Sequence, residues 1–148
     1  MRIELDVQRA TSFEPLPADR QFERWVTAAL RKNAAAVLTV RIVDREEMQQ
    51  LNRNCRGKDA PTTVRSFAAG LPDAVDLPLL GDVVLGAPLV AEEARLQNKP
   101  PEAHWAHLTI HGVLHLLGHD HQGTEEAALM EGEEITLLES LGIPNPYE

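Results

Sequence analysis

The sequence of 148 residues has few of the features that mark secreted or membrane proteins. It contains a single cysteine, Cys55, which excludes an intramolecular disulfide and agrees with a reducing compartment. No apolar run is long enough to span a bilayer, and residues 1–10 alternate apolar and polar side chains without the apolar segment of a signal peptide. We therefore expect a cytoplasmic protein that does not act in a membrane.

The sequence also lacks an excess of positive charge. Its formal net charge of −9 at pH 7 argues against a protein that coats nucleic acid through bulk electrostatics. Acidic residues concentrate between Glu125 and Glu139. A local basic patch is compatible with this balance, and the densest basic cluster comprises Arg53, Arg56, Lys58 and Arg65.

No repeat, low-complexity tract or linker divides the chain, so we expect residues 1–148 to form one domain. Hydrophobic periodicity and turn residues predict the elements. Strands are expected at 3–7, 37–43, 64–68 and 81–86, the third of them exposed, with loops at 54–63 and 69–80. Helices are expected over 22–30 with Asp19 as N-cap, through 48–51 after Asp44, over 88–98, over 102–117 and over 124–142, with a break in the chain at residues 100–101. This order predicts an α+β domain with a mixed four-stranded sheet and about five helices.

The most distinctive stretch is HGVLHLLGHDH at 111–121, which holds four of the six histidines. His111 and His115 are four residues apart and therefore share one helix face. Gly118 is placed to end the helix, so that the following chain can bring His121 to the same point. Three neutral imidazoles with an open fourth position describe a catalytic zinc site. The spacing predicts one Zn²⁺ per chain, on a central helix and the loop that follows it.

The same spacing occurs in the long zinc-protease signature, H-E-x-x-H-x-x-G-x-x-H. The glutamate that follows the first histidine of that signature accepts a proton from water during peptide hydrolysis. Gly112 stands at this position here. The pattern therefore indicates a hydrolytic metal site that acts on something other than a peptide bond.

The other histidines leave alternatives open. His107, four residues before the first predicted ligand, is interpreted as a structural residue or as a partner of a ligand. His104 is expected at the surface, and His119 competes with the third predicted ligand for the metal. Asp120 either accepts a hydrogen bond from the second ring nitrogen of a ligand or caps a turn.

These residues resemble the YbeY family of bacterial endoribonucleases, which mature ribosomal RNA. Residues 111–121 match the family pattern H-G-x-L-H-L-x-G-(Y/H)-D-H throughout. Independently, LNRNCRGKDAPTTVRSF at 51–67 resembles L-N-x-x-(Y/F/W)-R-G-x-D-x-P-T-D-V-L-S-F, and GDVVLGAPLVAEEA at 81–94 resembles a further segment, loosely after Val84. The sequence departs from the family at four positions of the loop and the strand after it, which hold Cys55, Thr63, Arg65 and Ala68.

The resemblance implies an α+β fold with zinc bound by His111, His115 and His121, and a functional arginine, Arg56, over the metal cleft. Histidines 111 and 115 would belong to the catalytic centre with this arginine. The implied activity is hydrolysis of single-stranded RNA in 16S rRNA 3′-end maturation and ribosome quality control. The implied partners are the 16S rRNA precursor and the small ribosomal subunit, and ribosomal proteins are candidate partners. The net charge favours a protein that depends on such partners for specificity.

Further contacts with RNA are predicted on the same loop and strand. Lys58 and Arg53 are expected to help position the RNA backbone, although both also fit a role as surface charges. Arg65 is expected to bind substrate, because it adds a charge near the cleft that favours phosphate. Ser66 either donates to a phosphate or forms a hydrogen bond within the sheet. No general base is assigned, because Asp59 fits a turn or a pair with Arg56 equally well.

Two other classes of function stay open on the sequence. A metallopeptidase-like zinc hydrolase is favoured by the histidine register and opposed by Gly112. A non-catalytic, ribosome-associated zinc protein would use its metal to stabilise the fold. An open coordination position separates enzymes from a structural zinc site, which is normally closed by four protein ligands.

Overall fold

Strands and helices alternate in the first half of the chain, and three consecutive helices end it. The computed structural model describes residues 2–30, 35–56, 63–68, 79–117 and 124–147. The elements in these ranges are β1 (Arg2–Ala10), α1 (Asp19–Ala29), β2 (Ala35–Val43), α2 (Arg45–Arg56), β3 (Val64–Ala68), β4 (Leu79–Gly86), α3 (Ala87–Leu96), α4 (Pro101–Leu116) and α5 (Thr124–Ser140). The predicted α+β fold is confirmed.

The four strands form one mixed sheet in the order β1-β2-β4-β3. The strands β1, β2 and β4 are parallel, and β3 runs antiparallel to β4 at one edge. The mixed four-stranded sheet expected from the sequence is confirmed. The third strand along the chain, β3, was expected to be exposed; it lies at the edge of the sheet, and its residues 64–67 are half-buried.

The two faces of the sheet carry different helices. Because side chains alternate along a strand, Val83 and Leu85 of β4 point to one face and Val84 points to the other. The first two residues join the main core, to which α1 and α4 contribute most of their buried side chains. Val84 packs with Val43 and Met48 in a smaller cluster beneath α2. The helix with the histidines therefore lies on the face opposite α2.

Helix α4 is buried along most of its length, with buried side chains from His104 through Ile110 and from Gly112 through Leu114. It contacts β3 and β4 on the sheet and also α1, α3 and α5. A helix packed on several sides has apolar residues all round and no clear polar face. Several of its histidines are therefore inside the fold.

Left-handed caps end the helices on either side of α4. Asn98, with φ of 55°, follows α3, and Gly142, with φ of 79°, follows α5. After Gly142 the N–H of Ile143 donates to the carbonyl of Leu138 at 2.9 Å, as in a Schellman cap. The predicted break at 100–101 is confirmed, since Pro101 is the first residue of α4, where no helical donor is needed.

Three local expectations need correction or lie outside the description. Asp19 is not the N-cap of α1: Ala18 holds that position, and Asp19 instead pairs with Arg9 at 2.6 Å. Helix α2 continues to Arg56, so the loop predicted from residue 54 begins later. Residues 69–78 of the second predicted loop lie outside the described residues, and residues 79–80 belong to β4. Within the described ranges, no helix has the length and apolar character that a bilayer crossing requires.

Candidate metal centre

Four histidines form a row along α4: His104, His107, His111 and His115. Their spacings of three and four residues place neighbours on successive turns of one face. The ring centroids are 6.2, 6.3 and 4.7 Å apart in chain order. The first two histidines are buried and the last two are half-buried, so the row reaches solvent at its C-terminal end.

His111 and His115 are the two predicted zinc ligands that the structure describes. Their ring centroids lie 4.7 Å apart at the accessible end of the row. Two adjacent imidazoles suit zinc, and equally copper, iron or nickel, so this donor set fits the predicted metal. The third predicted ligand, His121, lies outside the described residues, as do Gly118, His119 and Asp120.

A fully buried carboxylate, Glu134 of α5, lies beside the row. Its Oε1 atom is 2.5 Å from His107 Nε2 and 3.0 Å from the hydroxyl of Tyr147. Both of its oxygens are 3.4 Å from His111 Nδ1. Because an ionised carboxylate can only accept hydrogen bonds, the two imidazoles and the phenol donate to it.

The hydrogen bonds decide the charge of Glu134. Burial on its own would raise the pKa of this carboxyl group, because the ionised form loses its hydration. The hydrogen bonds from His107 and His111, together with the charges of these imidazoles, outweigh burial and lower the pKa to about 2. Glu134 is therefore an ionised acceptor at neutral pH.

His107, His111 and Glu134 also offer ligand atoms that all lie within 4.8 Å of one another, so these residues could hold a metal ion. This set differs from the one that the sequence predicts and shares only His111 with it. Its spacing is that of a hydrogen-bonded cluster, because the shortest contact, between His107 and Glu134, is 2.5 Å.

The expectation that His104 lies at the surface is wrong. This histidine is only 2% exposed, and its Nε2 atom is 2.5 Å from Oε1 of Glu93 on α3. Because α3 packs on α4, it covers the helix face that carries this histidine. Burial lowers the pKa of His104, although Glu93 acts in the opposite direction. His104 therefore connects two helices.

Gly112, which replaces the glutamate of the zinc-protease signature, packs directly on the sheet. A Cβ atom on this residue would lie 2.5 Å from Cγ1 of Val83. The Ser66 hydroxyl donates to the Gly112 carbonyl at 2.8 Å, so this hydrogen bond joins β3 to α4 and does not lie within the sheet as one alternative expected. The position next to the first predicted ligand therefore has no room for a side chain, and so none for a catalytic carboxylate.

The predicted basic residues do not all lie near the histidines. Arg56 ends α2, but its side chain is outside the described part, and Lys58 and Asp59 fall between the described ranges. Arg65 is half-buried on β3, with its guanidinium carbon 5.6 Å from the centre of the Phe67 ring. Arg65 pairs with Val84, whose side chain is on the α2 face, so the structure places Arg65 and the histidines on opposite faces of the sheet.

Two residues of this site, Glu134 and Tyr147, were not predicted from the sequence. A signal for Glu134 was available, because it shares the buried stripe of α5 with Met130, Leu137 and Leu138 at helical spacings. A carboxylate on a buried stripe needs a partner inside the fold. Tyr147 follows α5 by several residues, and no pattern of the sequence places it beside the histidines.

Two comparisons with known proteins bear on this site. Residues 6–142 match the family model described as Endoribonuclease YbeY. The solution structure of TM1509 from Thermotoga maritima is similar, with a TM-score of 0.61 and 22% sequence identity, over 93% of this chain and 91% of that chain. At this identity the structural likeness shows the fold alone, whereas the family match includes the whole histidine row and Glu134.

Proposed function

The chain belongs to the YbeY family of endoribonucleases, and on this premise we propose that it is a zinc-dependent endoribonuclease specific for single-stranded RNA. The proposed role is maturation of the 16S rRNA 3′ end and ribosome quality control in the cytoplasm, with the small ribosomal subunit as partner. The observation that carries the proposal is the pair His111 and His115, adjacent at the accessible end of the histidine row.

We propose that His111, His115 and His121 hold one zinc ion per chain. The first two fit this role because their rings are neighbours on one helix face and are half-buried rather than enclosed. When bound, such a metal acts as a Lewis acid that activates water at neutral pH and offsets charge on a phosphodiester oxygen.

The proposed RNA contacts come from the basic residues near the end of α2 and on β3. Arg56 would bind two phosphate oxygens at once through its planar guanidinium group, which helps to offset the charge that develops during cleavage. Lys58 and Arg65 would bind other phosphates of the RNA backbone. Because β3 presents Arg65 on the sheet face opposite α4, we expect its removal to have the smallest effect of the three.

The metallopeptidase alternative is disfavoured by the packing of Gly112. A peptidase of the zinc-protease type uses a glutamate at this position as its general base. Here the position is in contact with Val83 of the sheet, so a side chain could enter only if the helix moved away from β4. The non-catalytic alternative is left for experiment to exclude.

The test is cleavage of a 16S rRNA 3′-end fragment by purified protein of known metal content. The panel contains the wild type, a chelated sample, His115→Ala and Arg56→Ala, with Arg24→Ala as a control that removes an exposed arginine from α1. Unstructured casein serves as a peptide substrate.

We expect the wild type and Arg24→Ala to cut RNA and to leave casein intact. Chelation and His115→Ala should abolish cleavage, and Arg56→Ala should slow it by about 100-fold, a typical loss for a group that stabilises transition-state charge. RNA that stays intact with fully metallated wild type would contradict catalysis by this chain. Digestion of casein would instead favour the peptidase.

A further inference from the structure

An imidazole has two ring nitrogens, and a neutral ring can bind a metal only through the one that carries no hydrogen. Which nitrogen this is depends on the hydrogen bond that the other nitrogen makes. For His111 the structure describes that second contact: Nδ1 faces both oxygens of Glu134 at 3.4 Å. The choice between the two nitrogens is therefore built into the fold.

We propose that Glu134 is a positioning residue, which keeps the hydrogen of His111 on Nδ1 and so leaves the lone pair on Nε2 for the metal. The proposal rests on the metal site proposed above but not on the identity of the substrate. A carboxylate that accepts from a ligating histidine also fixes the orientation of the ring and increases its basicity as a ligand.

The surroundings of Glu134 suit it to this task. It is fully buried on α5, so its carboxylate has a fixed place and does not exchange its partners with water. The Nε2 atom of His107 donates to this carboxylate. The Nδ1 atom of His107 has no hydrogen-bond partner among the described residues.

Tyr147 completes the cluster from the C-terminal segment. The cap at Gly142 reverses the chain, and the Lys99 ammonium group donates to the Pro146 carbonyl at 2.6 Å, which holds this segment near α4. The Tyr147 hydroxyl then reaches Glu134 at 3.0 Å. Three donors thus surround a carboxylate that belongs to a different helix from the ligands.

The rival interpretation is that Glu134 binds the metal itself, together with His107 and His111. Two ligands of a tetrahedral zinc ion lie about 3.3 Å apart, given metal–ligand distances near 2.0–2.1 Å. His107 Nε2 and Glu134 Oε1 are 2.5 Å apart, which is a hydrogen-bond distance. The pair is also buried, whereas a catalytic metal needs access to solvent.

The first test reads the tautomer of His111 in metal-free wild-type protein, without RNA. Histidine labelled with ¹⁵N gives long-range proton–nitrogen couplings that identify the protonated nitrogen, and the His111→Gln spectrum assigns the signal. In the neutral ring, we expect a hydrogen on Nδ1 and none on Nε2. A hydrogen on Nε2, or averaging over both tautomers, would overturn the proposal.

The second test measures the zinc dissociation constant of the full chain by competition with a chelator. Glu134→Gln should bind zinc about 10–100-fold more weakly, as for other carboxylate partners of metal-bound histidines. Glu133→Gln makes the same charge change at a neighbouring, half-buried position of α5 and should bind like the wild type. Thermal unfolding of the metal-free variants checks that each one folds.

Two further variants separate the rival ligand sets. His115→Ala should abolish zinc binding, and His107→Gln should retain it; the reverse result would assign the metal to the buried cluster and overturn the positioning role. Equal affinity of the wild type and a folded Glu134→Gln would also overturn it. A wild type that binds no zinc at all would instead contradict the metal site under the proposed function.

Discussion

The histidines of α4 share a helix and a residue type, but their contacts give them different roles. His104 is paired with Glu93 and His107 with Glu134, and both are buried. His111 shares Glu134 but is 21% exposed at its side chain, and His115 lies next to it. Position along the row, rather than sequence context, therefore separates the two buried, paired histidines from the two proposed as metal ligands.

The tyrosine in this cluster provides a direct spectroscopic test, because Tyr147 is the single tyrosine of the chain. Partial burial raises its pKa, and the negative charge and hydrogen bond of Glu134 raise it further. We therefore expect no tyrosinate absorbance in the folded wild type at pH values near 10, where an ordinary tyrosine titrates.

In folded Glu134→Gln, the ionisation of Tyr147, followed by its tyrosinate absorbance, should shift back toward about pH 10. Folding raises this pKa, so the contribution of Tyr147 to stability is complete below the unfolded value and declines as pH rises above it. An unchanged transition in folded Glu134→Gln would show that the tyrosine does not contact the carboxylate.

Single residues were the hardest features to predict from the sequence. The adjacency of His111 and His115 was predictable because residue spacing on a helix is a local property. The burial of His104 was not, because it depends on α3 folding back over α4. Glu134 is 23 residues from His111 and lies in a helix whose other glutamates are exposed or half-buried. The acidic composition of α5 therefore does not distinguish this buried glutamate from its neighbours.

At the level of elements, the packing of α4 on the sheet depends on Gly112. We expect Gly112→Ala to lower the free energy of unfolding by about 1–3 kcal/mol, the usual cost of forcing an extra methyl group into a packed interior. The added Cβ would lie 2.5 Å from Val83 Cγ1, so helix and strand would have to separate. Urea denaturation of the metal-free protein measures the change.

Gly132→Ala is the matched control, because Gly132 lies within helix α5 and a Cβ added there would have no atom of the described residues within 4 Å. This change should stabilise the protein by about 0.5–1 kcal/mol, since alanine loses less backbone entropy in a helix. Equal effects of the two substitutions would contradict close packing of α4 against β4.

Element types were more predictable than their ends. The strand at 64–68 has the predicted bounds, and the break predicted at residues 100–101 separates α3 from α4, which begins one residue earlier than expected, at Pro101. The start of α1 was misplaced because Asp19 contacts Arg9 of β1 instead of capping its own helix. Such a contact between separate elements cannot be predicted from the local sequence.

For the whole molecule, the net charge of −9 limits how it binds RNA. The three predicted cationic contacts, Arg56, Lys58 and Arg65, give an expected slope of about −2 for log affinity against log salt, at roughly 0.7 per phosphate contact on a single strand. Fluorescence anisotropy with metal-free protein avoids cleavage during the measurement. Arg56→Ala should reduce the magnitude of the slope by about 0.7, and a wild-type slope beyond about −5 would indicate a much larger basic surface.

The measurement that tests the central claim most directly is a zinc titration of ribonuclease activity. Metal-free wild-type protein is mixed with increasing zinc, and cleavage of the 16S rRNA 3′-end fragment is followed at each ratio. We expect activity to rise from zero, to saturate at one zinc per chain, and to stay absent in His115→Ala at every ratio. Full activity in the metal-free protein, or in fully folded His115→Ala, would contradict a metal-dependent endoribonuclease centred on this helix.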